Sequence, residues 1–400
     1  MIENGFVYIS FLICFVAIVF FMVDKLKWKV FDIFSPMLII YLGSAILGSL
    51  GLFPKTESVV VYQDIVTVNF LPLMLVFMLL QCDLRKILRM GPKMLLSFMC
   101  ATFTICLGFV VAFLIFKNKL GSDAWSVLGA ASGAWSVLGA ASGAWIGGSS
   151  NMMATANALG VSEEGLSYAI LMGSISYTVL LSILMMTLQF VKRFNKWTNA
   201  NTAYLDETTA SLQRSSEEKV ESKPPTFIDI MILLAIGFGV SSIAQVLAEN
   251  LPQVGNVLNS MTWTILIVST VSIILGMTPI SKINGSPLIG NVFMYLLLAV
   301  TGSKASFFGL SDAPIYIIFG FIVIAVHIIG LLLLAKLFKL DLFACELGSI
   351  ANVGGVTSAP IFAGVYNPTL IPVGVLMGLL GNVIGTYVAL SLSQVLLMLS

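Results

Sequence analysis

The chain has 400 residues, of which 58% are hydrophobic and only 10% charged, and its mean hydropathy is +1.02. A soluble globular chain carries about 25% charged residues, so this composition leaves too little polar surface to face water. The net charge of +1 argues against nucleic acid or an acidic partner.

The apolar residues fall in continuous runs near the ~20 residues that cross a bilayer as a helix, not in the short alternating segments of a β-barrel. An all-α polytopic membrane protein is expected, with the lipid bilayer as its surroundings. The runs of the first half span 6–23, 36–53, 65–81, 94–116, a Gly/Ala/Ser-rich stretch at 124–159, and 165–190. The first lacks a basic leader and a small-residue cleavage site and is followed by Lys25, Lys27 and Lys29, so it reads as a retained span. A polar stretch at 192–223, closing on Pro224-Pro225, reads as a linker outside the membrane. The second half repeats the order with 227–248, 263–277, 287–301, 314–338, a second Gly-rich stretch at 342–366, and 370–399. Cys14, Cys82, Cys100, Cys106 and Cys345 show no metal spacing and read as small buried hydrophobes.

Internal repetition is the natural test of two halves so alike. Ala144-Trp-Ile-Gly-Gly-Ser-Ser-Asn151 in the first half answers Ala351-Asn-Val-Gly-Gly-Val-Thr-Ser358 in the second. Downstream, Leu171-Met-Gly173 answers Leu376-Met-Gly378, 24 and 22 residues after the first glycine of each pair. Charge then sets the sense of the repeat, because Lys and Arg collect on the cytoplasmic side. The basic connectors are Lys25, Lys27 and Lys29; Arg85, Lys86, Arg89 and Lys93; Lys192, Arg193 and Lys196; and Lys336 and Lys339. All four fall inside, as does Lys282, only if the fifth segment enters and leaves on one face. Glu163-Glu164 then falls outside, and Lys117 and Lys119 break the rule. The expected fold is therefore two inverted-topology repeats, each of five spans plus one broken or re-entrant helix, an arrangement typical of secondary transporters.

The breaks are expected at Gly147-Gly148 and Gly354-Gly355, since backbone leaves helical geometry at membrane depth only where protein or a watery cavity satisfies it. Ser149, Ser150 and Asn151, and likewise Thr357 and Ser358, are read as caps of new half-helices, with Pro360 in a first turn. Such an N-terminus suits a carboxylate or other anion, and freed carbonyls suit Na⁺. No other cofactor is expected. The competing reading is close packing of small residues; two breaks at matching positions favour the site.

Ionisable groups inside spans are expensive to keep and so point to function. Glu346, eight residues before Gly354, is a candidate for a proton or Na⁺. His327, the only histidine, reads rather as a packed core residue, and Lys304 as a snorkelling one. Asn69 is added to the candidate cavity lining, with Asn291 and Asn382 as further amides in apolar runs. No HExxH, nucleophile–base set or P-loop is present, so an enzyme is not expected. Residues 124–133 and 134–143 are the same ten letters, AWSVLGAASG, and read as a local duplication that should bulge or lengthen the first arm of the broken helix.

The stretches WIGGSSNMMATANALG and GSIANVGGVTSAPIFAG, with the Leu-Met-Gly landmarks, resemble the YjcL-like integral membrane proteins, domain of unknown function 819. That resemblance implies the cation/proton antiporter and anion transporter superfamily, elevator-like movement of a core against a panel, and commonly a homodimer. Panel segments would occupy 1–93 of a first repeat (1–190) and 227–302 of a second (227–400). Core segments would occupy 94–190 and 313–400, with a cytoplasmic linker at 191–226. The function expected is symport of a small organic anion or amino acid, coupled to Na⁺ or H⁺, in a bacterial cytoplasmic membrane. A monovalent cation/proton antiporter using Glu346, or a channel or receptor, remains the alternative.

Overall fold

The structure, a computed structural model, describes residues 1–26, 36–54, 56–88, 90–117, 133–202, 204–205, 224–253, 259–304, 313–367 and 370–400. The predicted charges Lys27, Lys29, Arg89 and Lys119, most of the 192–223 stretch, and the first AWSVLGAASG copy up to residue 132 lie outside them. Among the described residues every regular element is helical. Eight helices among these residues are long and apolar enough to cross a membrane, and the chain is an integral membrane protein.

In the first half, α1 (Gly5–Phe21), α2 (Pro36–Ser49), α3 (Glu57–Leu79), the short α4 (Leu84–Leu88) and α5 (Pro92–Phe116) lead to a broken pair. Its arms are α6 (Ala134–Gly147) and α7 (Ser149–Ala158), followed by α8 (Glu163–Thr187) and a short amphipathic α9 (Val191–Thr198). The second half runs α10 (Phe227–Glu249), α11 (Ser260–Gly276), α12 (Ser286–Lys304) and α13 (Ala313–Phe338). A second broken pair follows, α14 (Leu342–Val353) and α15 (Gly355–Tyr366), and then α16 (Ile371–Leu399).

Packing pairs corresponding helices of the two halves: α3 lies along α12, and α5 along α13. Small residues allow the approach, as is usual where lipid removes the hydrophobic drive between helices. Gly48 of α2 sits on the Ser303 carbonyl of α12, and Gly302 of α12 on the Tyr41 carbonyl of α2. A Cβ at Gly108 of α5 would stand 2.9 Å from the Val323 carbonyl of α13. Asn4, Thr56, Ser162, Thr226 and Asn259 cap α1, α3, α8, α10 and α11 with their side chains.

The second AWSVLGAASG copy builds α6 and is buried along its length. Its Gly143 faces the backbone of Asn151, where a Cβ would stand 2.8 Å from the carbonyl. The copy is thus part of the packing around the first break, and α16 lies along it.

Candidate functional site

Both Gly-Gly pairs interrupt a helix. Gly148 takes φ +84° and ψ −170° between α6 and α7, a region open essentially to glycine alone. At the second break Gly354 stays at φ −100° and ψ −8°, and Gly355 turns to φ +57°. The two breaks meet: a Cβ at Gly355 would lie 3.9 Å from the Gly147 carbonyl oxygen.

The capping expectation needs correction. The N-caps of α7 and α15 are Gly148 and Gly354, and no side chain caps either helix. Ser149, Ser150 and Asn151 sit inside the first turn of α7, where a residue's own amide is one of the uncapped donors. Pro360 lies inside α15, beyond its first turn. Lacking an N–H, it leaves the Val356 carbonyl without its helical donor.

Two cavities flank the crossing. One, of about 650 Å³, is lined by Gly147, Ser150, Gly355, Asn291 and Asn382 together with apolar side chains such as Phe20 and Leu288. The other, of about 520 Å³, is lined by Trp145, Tyr177 and Ser358 among others. Gly148, Ser149, Gly354, Thr357 and Tyr295 border both. Among the described residues no Asp, Glu, Lys, Arg or His lines either. The polarity comes from backbone, hydroxyls and amides. Trp145 is fully buried, and its Nε1 has no partner among the described residues, an orphan donor beside the second cavity.

The third residue after each second glycine is spent on structure. Asn151 donates from Nδ2 to the Gly381 carbonyl at 3.3 Å and accepts at Oδ1 from Thr386 at 2.7 Å, both on α16. Ser358 accepts from the Tyr177 hydroxyl of α8 at 2.6 Å. Each resumed arm therefore hooks the last long helix of the opposite half.

Two candidates lie elsewhere. Asn69 is on α3, and its Nδ2 donates to the Ile65 carbonyl one turn back at 2.9 Å, beside a small cavity between α3 and α10. The residue lines neither cavity at the crossing. Glu346 faces a separate cavity with His327 and Thr187, because α14 presents it toward α8 and α13 instead of the break. Lys304 pairs with Glu163 at 3.1 Å. Trp145, Tyr177 and Tyr295 do not stand out from the sequence. For Trp145 the usable signal is a tryptophan two residues before a Gly-Gly; the two tyrosines belong to other helices and carry none.

The profile of the family described as "Protein of unknown function (DUF819)" matches residues 10–399. The chain is also similar to the uncharacterized membrane protein YjcL of Bacillus subtilis (strain 168), at 24% identity over 380 residues, covering 91% of this chain and 90% of that protein.

Proposed function

We propose that the chain, which belongs to the DUF819 family over residues 10–399, is a secondary active transporter of a small organic anion or amino acid, and not an enzyme. The observation that carries this reading is the meeting of two helix N-termini without side-chain caps, beside cavities with no charged side chain among the described residues. Such termini offer free N–H groups and partial positive charge to a carboxylate, and Trp145 Nε1 adds a donor in the second cavity. The apolar walls at Phe20 and Leu288 receive the rest of a small solute.

The halves are read as inverted repeats, with 1–190 and 227–400 joined by the 191–226 linker. The pairing of α3 with α12 and α5 with α13 supports this, as do the matching hooks at Asn151 and Ser358. In this reading core segments 94–190 and 313–400 carry the crossing past the panels 1–93 and 227–302 in an elevator motion. We further read the protein as a homodimer in a bacterial inner membrane. Coupling is to Na⁺ or H⁺. The donor set fits Na⁺ by type, since the Val356 carbonyl and the Thr357 hydroxyl are hard oxygens. A cation/proton antiporter would want its acid at the crossing, whereas Glu346 lies in another cavity.

The test is a thermal-shift screen of the purified protein over small carboxylates and amino acids, with and without Na⁺, followed by uptake into proteoliposomes. A ligand of the folded state raises its melting temperature, and Gly148→Ala and Gly355→Ala should abolish the shift. The reading fails if no compound stabilises well-folded protein, or if both variants bind and transport like the wild type.

A further inference from the structure

A second polar site lies away from the crossing. Asp341 caps α14, and Glu346 follows in its second turn. Thr187, the last residue of α8, holds its hydroxyl against Glu346 Oε1. Glu346 is 1% exposed, and its Oε2 is buried with no partner among the described residues. Both residues face a cavity of about 260 Å³ whose walls are otherwise mostly apolar, with Leu184, Phe190 and Leu331 among them.

Hydrogen counting shows what this site holds. A threonine hydroxyl has one hydrogen and two acceptor positions. The Thr187 oxygen lies 2.8 Å from the Leu184 carbonyl and 3.2 Å from the Ile183 carbonyl as well as against Glu346. If the hydrogen goes to Leu184, the bond to Glu346 needs a proton on Oε1, and the acid is neutral. If it goes to Glu346, a charged carboxylate holds one hydrogen bond and buries its other oxygen bare. An unpaired buried charge costs far more than a neutral acid lacking one acceptor bond.

Among the described residues no neighbour supplies a countercharge. His327 is spent at both nitrogens. Thr104 Oγ1 has carbonyl acceptors at 2.9 and 3.0 Å in Cys100 and Ala101. Its oxygen therefore accepts from Nδ1 at 2.8 Å, and the Ser349 hydroxyl lies 2.9 Å from Nε2. The ring is fully buried, which disfavours its charged form, so Nε2 is left to accept and the ring is neutral. The other titratable groups around Glu346 are Cys345 and Asp341 on its own element, Tyr366 on α15, and Cys100 on α5 behind Cys345. Asp341 is itself bonded by the Tyr204 hydroxyl. α6, α8 and α16 bring no titratable group to the cavity, and Lys192, Arg193 and Lys196 of α9 do not line it.

We propose that Glu346 is a proton-binding site, separate from the crossing. The O–H bond at Oε1 breaks to pass its proton to a water entering the cavity, leaving carboxylate and hydronium. The Thr187 hydroxyl turns from Leu184 to the carboxylate as the proton leaves, and turns back when it returns. The proposal stands on this cavity alone, whether or not the crossing carries a solute.

Infrared spectroscopy of the full chain in lipid bilayers, titrated in pH, tests it. The expected result is a carboxylic-acid C=O band that disappears as pH rises and is missing at every pH in Glu346→Gln. Thr187→Val should keep the band but move its frequency and its titration midpoint. The proposal is overturned if the wild type shows no band that Glu346→Gln removes. It is equally overturned if Na⁺ at fixed pH abolishes that band, which would make this a metal-cation site. Should Glu346→Gln fail to fold, identical bands and midpoints in the wild type and Thr187→Val would overturn it as well.

Discussion

At the first break the chain leaves the helix at Gly148, at φ +84° and ψ −170°, and among the described residues nothing beyond its chain neighbours lies within 4 Å of where a Cβ would stand. At the second, Gly354 keeps an ordinary φ of −100° but is crowded, with Ser358 Cβ 2.6 Å from its own would-be Cβ. Both pairs supply room, since a Cβ at Gly147 would collide with Asn151 Nδ2 and stand 2.5 Å from the Gly381 carbonyl oxygen. They differ at the turning residue: Gly148 takes a dihedral that side chains do not adopt, whereas Gly355 makes a milder left-handed turn. The matched Leu-Met-Gly landmarks diverge further. A Cβ at Gly378 would stand 2.6 Å from Val356 Cα and 2.8 Å from the Gly355 carbonyl carbon, whereas one at Gly173 meets only Trp145 Nε1, at 4.0 Å.

Gly378→Ala and Gly173→Ala should therefore differ most. Gly378→Ala pushes on backbone that cannot swing aside, and should cost about 3 kcal/mol, the upper part of the overpacking range. Gly173→Ala should stay within about 0.5 kcal/mol. Thermal unfolding of the purified variants decides it, and equal losses would mean that the two landmarks are interchangeable. Next comes Gly148→Ala against Gly355→Ala. The first should cost about 2 kcal/mol for a forbidden dihedral, and the second about 1 kcal/mol for a left-handed one. Since a Cβ at Gly148 meets empty space, any loss there is conformational, and a Gly148→Ala variant as stable as wild type would refute the φ assignment.

The membrane character, the run of helices and the position of both breaks are legible in the sequence because they rest on composition and on glycine, which act locally. What is not legible depends on which face a helix turns inward. Asn69 reads as lining the cavity at the breaks, yet it sits on α3 beside a different cavity, with its Nδ2 bonded to the Ile65 carbonyl of its own helix. Glu346 reads as part of the break because it precedes it in sequence, yet the rotation of α14 gives it to Thr187 and His327. The hydroxyls after each Gly-Gly read as caps, but the helices resume on glycine itself. Their position inside the first turn is a matter of one or two residues, which spacing does not resolve. Trp145 follows directly on the repeated AWSVLGAASG letters and reads as one more turn of them, although its buried indole N–H is left unpaired beside the crossing.

The smallest expected contrast is at the two hooks, and it tests the likeness of the halves instead of their difference. Asn151 joins α7 to α16 with two hydrogen bonds, while Ser358 joins α15 to α8 with one. Asn151→Ala leaves the Gly381 carbonyl without that donor and should cost about 1.5 kcal/mol, whereas Ser358→Ala should cost about 0.5 kcal/mol because the Tyr177 hydroxyl can turn to water in the cavity. If the hooks tie the halves as a pair, the double variant loses more than the sum of the single losses, since each hook holds one side of the same crossing. Strict additivity in unfolding measurements would make them two unrelated hydrogen bonds, and would remove one support for the repeat. A Tyr177→Phe variant separates the cases further: it deletes the donor while leaving Ser358 in place, so it should match Ser358→Ala and, combined with it, cost nothing more.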